Sequence, residues 1–485
     1  MEVRSRFAPS PTGYMHIGNL RTALYEYLVA KSAGGKFILR IEDTDQERYV
    51  DGAVDIIYKT METVGLRHDE GPDVGGPYGP YIQSERRAIY KEYADKLVDL
   101  GGAHYCFCSE EELESQRKAC EEAGIPFKFR DPCKRLSVEE ARKRIAAGEK
   151  YTVRQTIDPK GTVSFDDCVY GHVTVDAKTL DEGILLKSDG LPTYNFANVV
   201  DDHLMKITHV LRGNEYLSST PKYNLMYQAF GWDIPTYVHL PPIMKDEHNK
   251  LSKRNGDASF QDLVAKGYLP EAIVNYIILL GWSAKNDEEI FSMAELEKIF
   301  NIEGINKSPA IFDPEKLKWM NGVYVRALAP EKFHELALPY YKDAVKRDVD
   351  LAVLSKCVQP RVNVLNEIPE AVDFIDVLPE YDIEMYVHKK MKTTPEIALK
   401  ALQEAEKVIA EMTDWSSVEA VHNTLLAVPE KLGMKNGQFL WPVRTALTGK
   451  QCTPVGAVEA VYLFGKDESL KRIKTGIEKL KAAAA

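Results

Sequence analysis

Two polar segments hold the residues best suited to a polyphosphate. One is Pro9-Ser10-Pro11-Thr12-Gly13-Tyr14-Met15-His16-Ile17-Gly18-Asn19, and the other is Lys250-Leu251-Ser252-Lys253-Arg254. His16 and Asn19 can give side-chain hydrogen bonds to phosphate oxygens, and Gly18, lacking a Cβ, lets a backbone or a base come close. In the second segment two lysines three apart, with Ser252 between them and the turn composition Asn255-Gly256-Asp257 after them, can wrap a triphosphate. Taken singly, each segment is more simply a capping turn or a solvated basic loop. One chain carrying both points to a nucleotide held from two sides, in the absence of a glycine-rich Walker loop.

These residues need elements that bring them together. Val3 to Ala8 reads as a short strand. A helix begins near Ile17, with Leu20, Ala23, Leu24, Tyr27 and Leu28 on one face, and Gly34-Gly35 ends it. Lys36 to Ile41 then reads as a buried strand. Strand, turn, helix and strand make a βαβ unit, which places its first loop at the carboxyl edge of a parallel sheet. His16 to Asn19 falls at that handover, where free helix N–H groups suit phosphate. Gly71 to Gly79, rich in Gly and Pro, reads as a boundary. After it come a helix near Ser84 to Leu100, a hairpin over Val163 to Asp176 and a strand with a loop around Gly183 to Asn195. A strand at Ile207 to Leu211 and a helix after Pro221 follow, so the sheet is split by an insertion from about residue 72 to 190. Beyond Pro270 the patterns over Glu271 to Leu280, Met293 to Ile299, Pro330 to Tyr341, Pro395 to Met412 and Ser469 to Ala482 are helical. The expected fold class is multidomain α/β plus all-α, a Rossmann-like parallel sheet followed by a helical C-terminal region.

At 485 residues the chain suits roughly two to four domains. A net charge of -11 argues against a nucleic-acid partner without excluding one, because net charge does not report local patches. The seven cysteines suit thiols or metal ligands, not a disulfide framework. The N-terminus has no apolar leader, and the longest apolar run, around Ile273 to Trp282, is far short of the ~20 residues of a membrane span. A cytosolic, cytoplasmic protein with no membrane partner is expected.

The two polar segments are similar to the HIGH and KMSKS motifs of class I aminoacyl-tRNA synthetases, in forms typical of bacterial glutamyl-tRNA synthetase. Further stretches agree: Arg6-Phe7-Ala8-Pro9-Ser10-Pro11-Thr12-Gly13, Arg40-Ile41-Glu42-Asp43-Thr44-Asp45, Gln83-Ser84-Glu85-Arg86, Pro192-Thr193-Tyr194-Asn195, Asn198-Val199-Val200-Asp201-Asp202 and Leu211-Arg212-Gly213. The likeness runs from residue 1 to the C-terminus and is densest before about residue 280. It implies a catalytic domain in two parts, 1–72 and 191–245, around an inserted connective domain at 73–190 that receives the acceptor stem. A stem-contact domain with the KMSKS-like loop would span 246–328, and a helical anticodon-binding region 329–485. Glutaminyl-tRNA synthetases build that last part from β-barrels instead.

The resemblance also implies an activity. L-glutamate and ATP form glutamyl-adenylate and pyrophosphate, and the glutamyl group then passes to the terminal adenosine of tRNA(Glu). The attacking carboxylate is already a nucleophile, so the first step rests on positioning and charge stabilisation at phosphorus. By resemblance His16, Gly18, Asn19, Lys250, Ser252 and Lys253 hold ATP, with His16 and Lys253 at the transition state, Lys250 and Ser252 supporting the loop, and Mg2+ accompanying the nucleotide. Arg6 and Arg212 are expected on the carboxylates of glutamate, Glu42 and Ser10 at its ammonium, and Tyr194 at its side chain with Asn198 nearby. Glutamine would set an amide donor against a guanidinium and be rejected. Arg6→Ala is expected to abolish activation with the fold intact. Arg361, Trp441 and Arg444 are candidates for anticodon contacts, tRNA(Gln) is a second RNA left open, and the family suggests a monomer.

Cys106, Cys108, Cys120 and Cys133 lie in the insertion, and four sulfurs could hold a structural Zn2+. Family members with zinc here use a Cys-x-Cys pair and a later Cys-x-His. Arg135 stands at that His position in this chain, and Phe129 stands where a short relative has a ligating tyrosine. Cys120 is the substitute ligand the sequence offers, and thiols left from a lost site are the alternative. Two other functions fit less well. A nucleotidyltransferase acting on a small metabolite leaves the helical tail unexplained, and a non-catalytic RNA-binding relative leaves His16, Lys250 and Lys253 unexplained.

Overall fold

The strand expected at the N-terminus is β1 (Arg4–Phe7), buried along its whole length. Helix α1 (Ile17–Ser32) and β2 (Lys36–Leu39) follow, and β2 pairs in parallel with β1 from Arg4–Lys36 to Phe7–Leu39. Eleven positions of α1 are buried, Ile17, Leu20, Arg21 and the eight from Ala23 to Ala30, because the helix is enclosed, not amphipathic: Leu20, Leu24, Tyr25, Tyr27 and Leu28 point in different directions yet are all covered. Gly34 turns the chain out of α1 with a left-handed φ of 66°. The computed structural model describes residues 2–124, 127, 129, 131–251, 259–284 and 286–484. Ser252 and Lys253 lie outside the described residues.

The chain divides into two units. The first comprises Met1–Leu263 and Ile273–Asp313. After β2 it continues through α2 (Ala53–Thr63), α3 (Arg87–Asp99), β3 (Ala103–Cys106), α4 (Glu110–Glu122), α5 (Val138–Ala146) and β4 (Thr152–Gln155). Then come β5 (Thr162–Asp167), β6 (Gly171–Asp176), β7 (Ile184–Leu186), α6 (Tyr194–Leu204), β8 (His209–Gly213), α7 (Thr220–Phe230) and β9 (Thr236–Leu240). Strands β3, β4 and β7 form one antiparallel sheet. Strands β6, β5, β9 and β8 form another in that order, with β8 and β9 parallel from His209–Thr236 to Gly213–Leu240. The hairpin expected at 163–176 is present as β5 and β6, and its strand β5 joins β9 through Asp167 and Tyr237. The inserted stretch therefore contributes directly to the sheet that carries β8. The amide of Thr208, just before β8, donates to the carbonyl of Arg4 at 2.9 Å, which sets β1 beside β8.

The second unit comprises Val264–Ala272 and Pro314–Ala485 and is helical. Helices Pro330–Ala344, Pro395–Glu411, Asn436–Thr448 and Ala457–Ala484 surround one apolar core that includes Phe333, Tyr341, Leu402, Phe439, Val461 and Ile473. The last of these bends at Gly465, whose φ of 66° no helix residue adopts. Beyond Pro270 the described residues hold a single strand, Ala310–Ile311, which belongs to the first unit and pairs there with Ile243–Met244. No helix among the described residues is long and apolar enough to cross a membrane.

Candidate active site

At the carboxyl ends of β1 and β8 the first unit encloses a cavity of about 290 Å³. This is the edge at which parallel sheets receive ligands. Arg6, Ser10, Glu42, Tyr194 and Arg212, all expected at glutamate, line it together with Asn19, expected at ATP. Asn198 does not. It is 2% exposed, and its amide donates to the carbonyl of Tyr194 at 2.6 Å, one turn back along α6.

His16 caps α1, its Nδ1 accepting the Gly18 amide at 3.0 Å. In the neutral ring that bond leaves the proton on Nε2, a donor of the kind a phosphate oxygen accepts. A Cβ at position 18 would sit 3.1 Å from His16 Nδ1, so glycine preserves the cap. Lys250 is exposed and bridges to Met244, followed by buried Leu251. His16, Gly18 and Lys250 are not among the residues lining the cavity.

Below the cavity lies a set of buried ion pairs. Asp202 accepts from Arg6 Nε at 3.0 Å and from Arg40 Nη1 at 2.7 Å. Arg40 also donates to Glu42 at 2.8 Å, and Arg86 to Asp201 at 2.8 Å. Burial alone would raise the Asp202 carboxyl, but Arg6 and Arg40 outweigh it and hold it below the ordinary carboxylate range. The fourth carboxylate is Glu26, on α1 and 0% exposed. Its Oε1 accepts from Arg6 Nη1 at 2.9 Å and from the Leu211 amide at 2.9 Å, while its Oε2 is buried without a hydrogen-bond partner. Burial pushes the Glu26 carboxyl up to about 8 against the pull of Arg6.

This network corrects one expectation and supplies residues the sequence reading missed. Arg6 lines the cavity, yet its guanidinium is already divided between Glu26 and Asp202. Truncating it removes a partner of buried Asp202 and Glu26, which costs about 3–5 kcal/mol, so Arg6→Ala is expected to lower stability as well as glutamate activation. Glu26 was legible in one respect: it is the single acid in α1, set between Tyr25 and Tyr27 in an apolar run.

Arg212 is built differently. Its Nε donates to His239 Nε2 at 3.2 Å and its Nη2 to Thr220 Oγ1 at 2.9 Å. The rings of Tyr216, Tyr223 and Tyr237 lie 5.2, 4.7 and 5.3 Å from it. It is 5% exposed and makes no ion pair among the described residues. Tyr194 stacks at a tilt on Tyr216, 5.2 Å between centroids, and burial pushes its hydroxyl well above the ordinary phenol range.

The cysteine cluster differs from expectation by one ligand. Cys106, Cys108 and Cys133 come together with Asp131, all four donor atoms within 4.8 Å of one another. Cys120 lies on α4 and is not in the group. Asp131 caps the turn Pro132–Arg135, its Oδ1 accepting the Cys133 amide at 2.8 Å, and that bond carries the carboxylate to 3.7 Å from Cys108 Sγ. His104 Nε2 lies 3.0 Å from the other oxygen. Phe129 supplies no ligand atom, its ring packing 4.4 Å from the Arg154 guanidinium. Burial pushes the Cys106 thiol up to about 11.

The Glu26 geometry has a measurable consequence. A carboxyl raised from 4.5 to about 8 favours the folded state at low pH, and that contribution is lost as pH rises through about 8. Glu26→Gln keeps the shape and removes the titration. The stability of the wild type relative to Glu26→Gln is expected to fall steadily between pH 5 and 8 in thermal or urea unfolding. A pH-independent difference would show that Glu26 stays ionised throughout.

Comparison with known proteins places this geometry. Residues 2–319 match the catalytic domain model of the class I tRNA synthetases (E and Q), and residues 332–477 match an anticodon binding domain. A glutamate--tRNA ligase of Clostridium acetobutylicum is 60% identical over 480 residues, 99% of both chains. One from Clostridium tetani is 58% identical over 480 residues, 99% of this chain and 98% of that one. The crystal structure of a glutamate tRNA ligase from Elizabethkingia meningosepticum in complex with its amino acid is 36% identical, with a TM-score of 0.85 over 99% of this chain and 100% of that chain. With catalytic and anticodon-binding parts matched in sequence and the whole length matched in structure, the chain belongs to the class I tRNA synthetases of the E and Q family.

Proposed function

We propose that the chain ligates L-glutamate to the 3′ end of tRNA(Glu) by way of glutamyl-adenylate. The observation that carries this reading is Arg212, a buried guanidinium at the cavity wall with no carboxylate of its own. A buried cation in this state favours an anionic ligand strongly. Glu42 on the same wall suits the ammonium group, and Ser10 and Tyr194 add hydroxyls. The α-carboxylate of glutamate attacks the α-phosphorus of ATP, which arrives as its magnesium complex. The bond to the bridging oxygen breaks and pyrophosphate leaves. A hydroxyl of the terminal adenosine of tRNA then attacks the activated carbonyl, losing its proton as AMP departs. His16 at the start of α1 and Asn19 are read as phosphate donors, with Lys250, Ser252 and Lys253 acting from their loop. The finer partition at 73–190, 191–245 and 246–328 goes with this reading, and tRNA(Gln) is its natural second substrate to test.

Glutamate-dependent ATP–pyrophosphate exchange, measured with and without tRNA(Glu), tests the proposal. Arg212→Ala is expected to raise the KM for glutamate at least 100-fold with the KM for ATP nearly unchanged. An ordinary glutamate KM in that variant would remove Arg212 from the site.

Three thiols and the Asp131 carboxylate fit a tetrahedral zinc, which would lower the raised thiols by its charge and tie β3 to the turn at 132–135. His104 behind Asp131 would orient that ligand. Metal analysis of protein purified without chelator is expected to give one zinc per chain, retained in Cys120→Ser and lost in Asp131→Ala. Equal retention in both variants would exclude Asp131 as a ligand.

In the second unit a cavity of about 670 Å³ is lined by Arg361, His388, Trp441, Arg444 and Lys450. Trp441 packs on His388 at 4.1 Å between centroids, and the Arg444 guanidinium lies 4.3 Å from the Trp441 ring with its Nε buried and unbonded. A tilted aromatic pair beside a guanidinium with one unbonded nitrogen suits an unpaired base and its phosphate, so this cavity is read as the anticodon site. Arg444→Ala is expected to weaken tRNA binding at least tenfold and to leave tRNA-independent ATP affinity alone. An unchanged tRNA Kd would move the anticodon elsewhere.

A further inference from the structure

The buried arginines at and beneath the cavity are compensated by carboxylates except Arg212; Arg21, outside the cavity lining, is held by two backbone carbonyls. Arg6 has Glu26 and Asp202, Arg40 has Glu42 and Asp202, and Arg86 has Asp201. Arg212 instead has His239, a hydroxyl and three aromatic rings. The contrast depends on the state of one imidazole. For His239 Nε2 to accept from Arg212 Nε at 3.2 Å it must carry a lone pair, so the ring proton must reside on Nδ1.

Asp167 enforces that tautomer. Its Oδ2 lies 2.6 Å from His239 Nδ1 and also accepts the His239 amide at 3.1 Å. Its Oδ1 accepts the amides of Val169 and Tyr170 at 2.9 and 2.8 Å, so the carboxylate is fixed and ionised. His239 is 0% exposed and Asp167 4%. The Asp167 charge is thus spent on the imidazole and on backbone amides, a full ring away from Arg212. Had an acid stood at 239, Arg212 would be neutralised as Arg6 is, and the cavity would lose its preference for an anion.

We propose that His239, held in its Nδ1–H form by Asp167, is a positioning residue that sets the choice of carboxylate over carboxamide: it orients Arg212 while leaving the guanidinium charge for the ligand. Neither residue touches the ligand. Asp167 comes from β5, so the inserted hairpin supplies the part that fixes this selectivity. The inference rests on the reading of Arg212 as the arginine that meets a glutamate carboxylate.

The test uses the full chain with tRNA(Glu) and measures pyrophosphate exchange with L-glutamate and with L-glutamine. His239→Glu is expected to raise the KM for glutamate at least tenfold, to narrow the glutamate-to-glutamine ratio of kcat/KM by a similar factor, and to leave the KM for ATP within about twofold. His239→Gln, neutral and still able to accept from Arg212, is expected to keep the larger part of that ratio. Asp167→Asn, nearly isosteric, is expected to fall between them. An unchanged ratio in His239→Glu and Asp167→Asn, with Arg212→Ala impaired, overturns the inference and leaves the site standing. A normal Arg212→Ala overturns the site reading first. Equal losses in glutamate KM, ATP KM and kcat across the variants, or loss in His239→Gln as severe as in His239→Glu, mark a structural role only and also overturn it.

Discussion

Asp202 accepts from Arg6 at the end of β1 and from Arg40 just beyond β2, so one carboxylate supplied after the insertion binds both strands supplied before it. Apolar burial could press these segments together, but it has no direction. Two guanidiniums converging on one acid fix both position and register, and such a pair is tolerated in a dry interior only when its remaining donors and acceptors are also met. The neighbour in sequence, Asp201, points elsewhere, to Arg86, Gln83 and the Tyr90 hydroxyl. Two consecutive acids on α6 therefore fasten two different segments, Asp202 the strands β1 and β2 and Asp201 the start of α3, in one joint beneath the cavity.

The joint also decides where charge is available. Arg6, Arg40 and Arg86 are each cancelled close at hand, so the floor of the cavity is nearly neutral despite its many charges. Arg212 escapes that cancellation because its partners are neutral. In a medium of low effective dielectric a single uncompensated cation outweighs several compensated ones. The uncompensated positive charge of the cavity accordingly sits at Arg212 on its β8 side, while Glu42, also in its lining, is paired with Arg40.

The outline of this arrangement was legible in the residues. Short strands, the enclosed α1 and the hairpin at 162–176 follow from apolar runs and turn residues, and the cavity gathers every residue expected at glutamate except Asn198. What could not be read were the partners. Asn198 sits beside the cavity in sequence pattern, but helical geometry turns its amide back onto Tyr194. Arg6 and Arg212 look alike as letters, and only the fold shows that one meets two acids and the other a histidine 27 residues away. From the sequence Cys120 is the natural fourth ligand, because it offers a sulfur like Cys106, Cys108 and Cys133. A capping aspartate reached the site first, through a backbone bond that residue spacing does not reveal.

Helix α1 connects the two halves of the chemistry. His16 caps its first turn, and Glu26, ten residues on and so roughly 15 Å along the axis, holds Arg6 and the amide just before Arg212. Between them Arg21 donates to the carbonyl of Leu280 at 2.9 Å and to that of Pro241. Those two carbonyls are 39 residues apart in sequence, so the same helix is tied to two separate points of the chain. A displacement of α1 would be felt at the His16 cap, at Arg6 and the Leu211 amide, and at the Pro241 and Leu280 carbonyls together. Local packing around any one of these would not achieve that. The burial of α1 therefore holds these contacts in register, which a helix free to roll on a solvated face could not do.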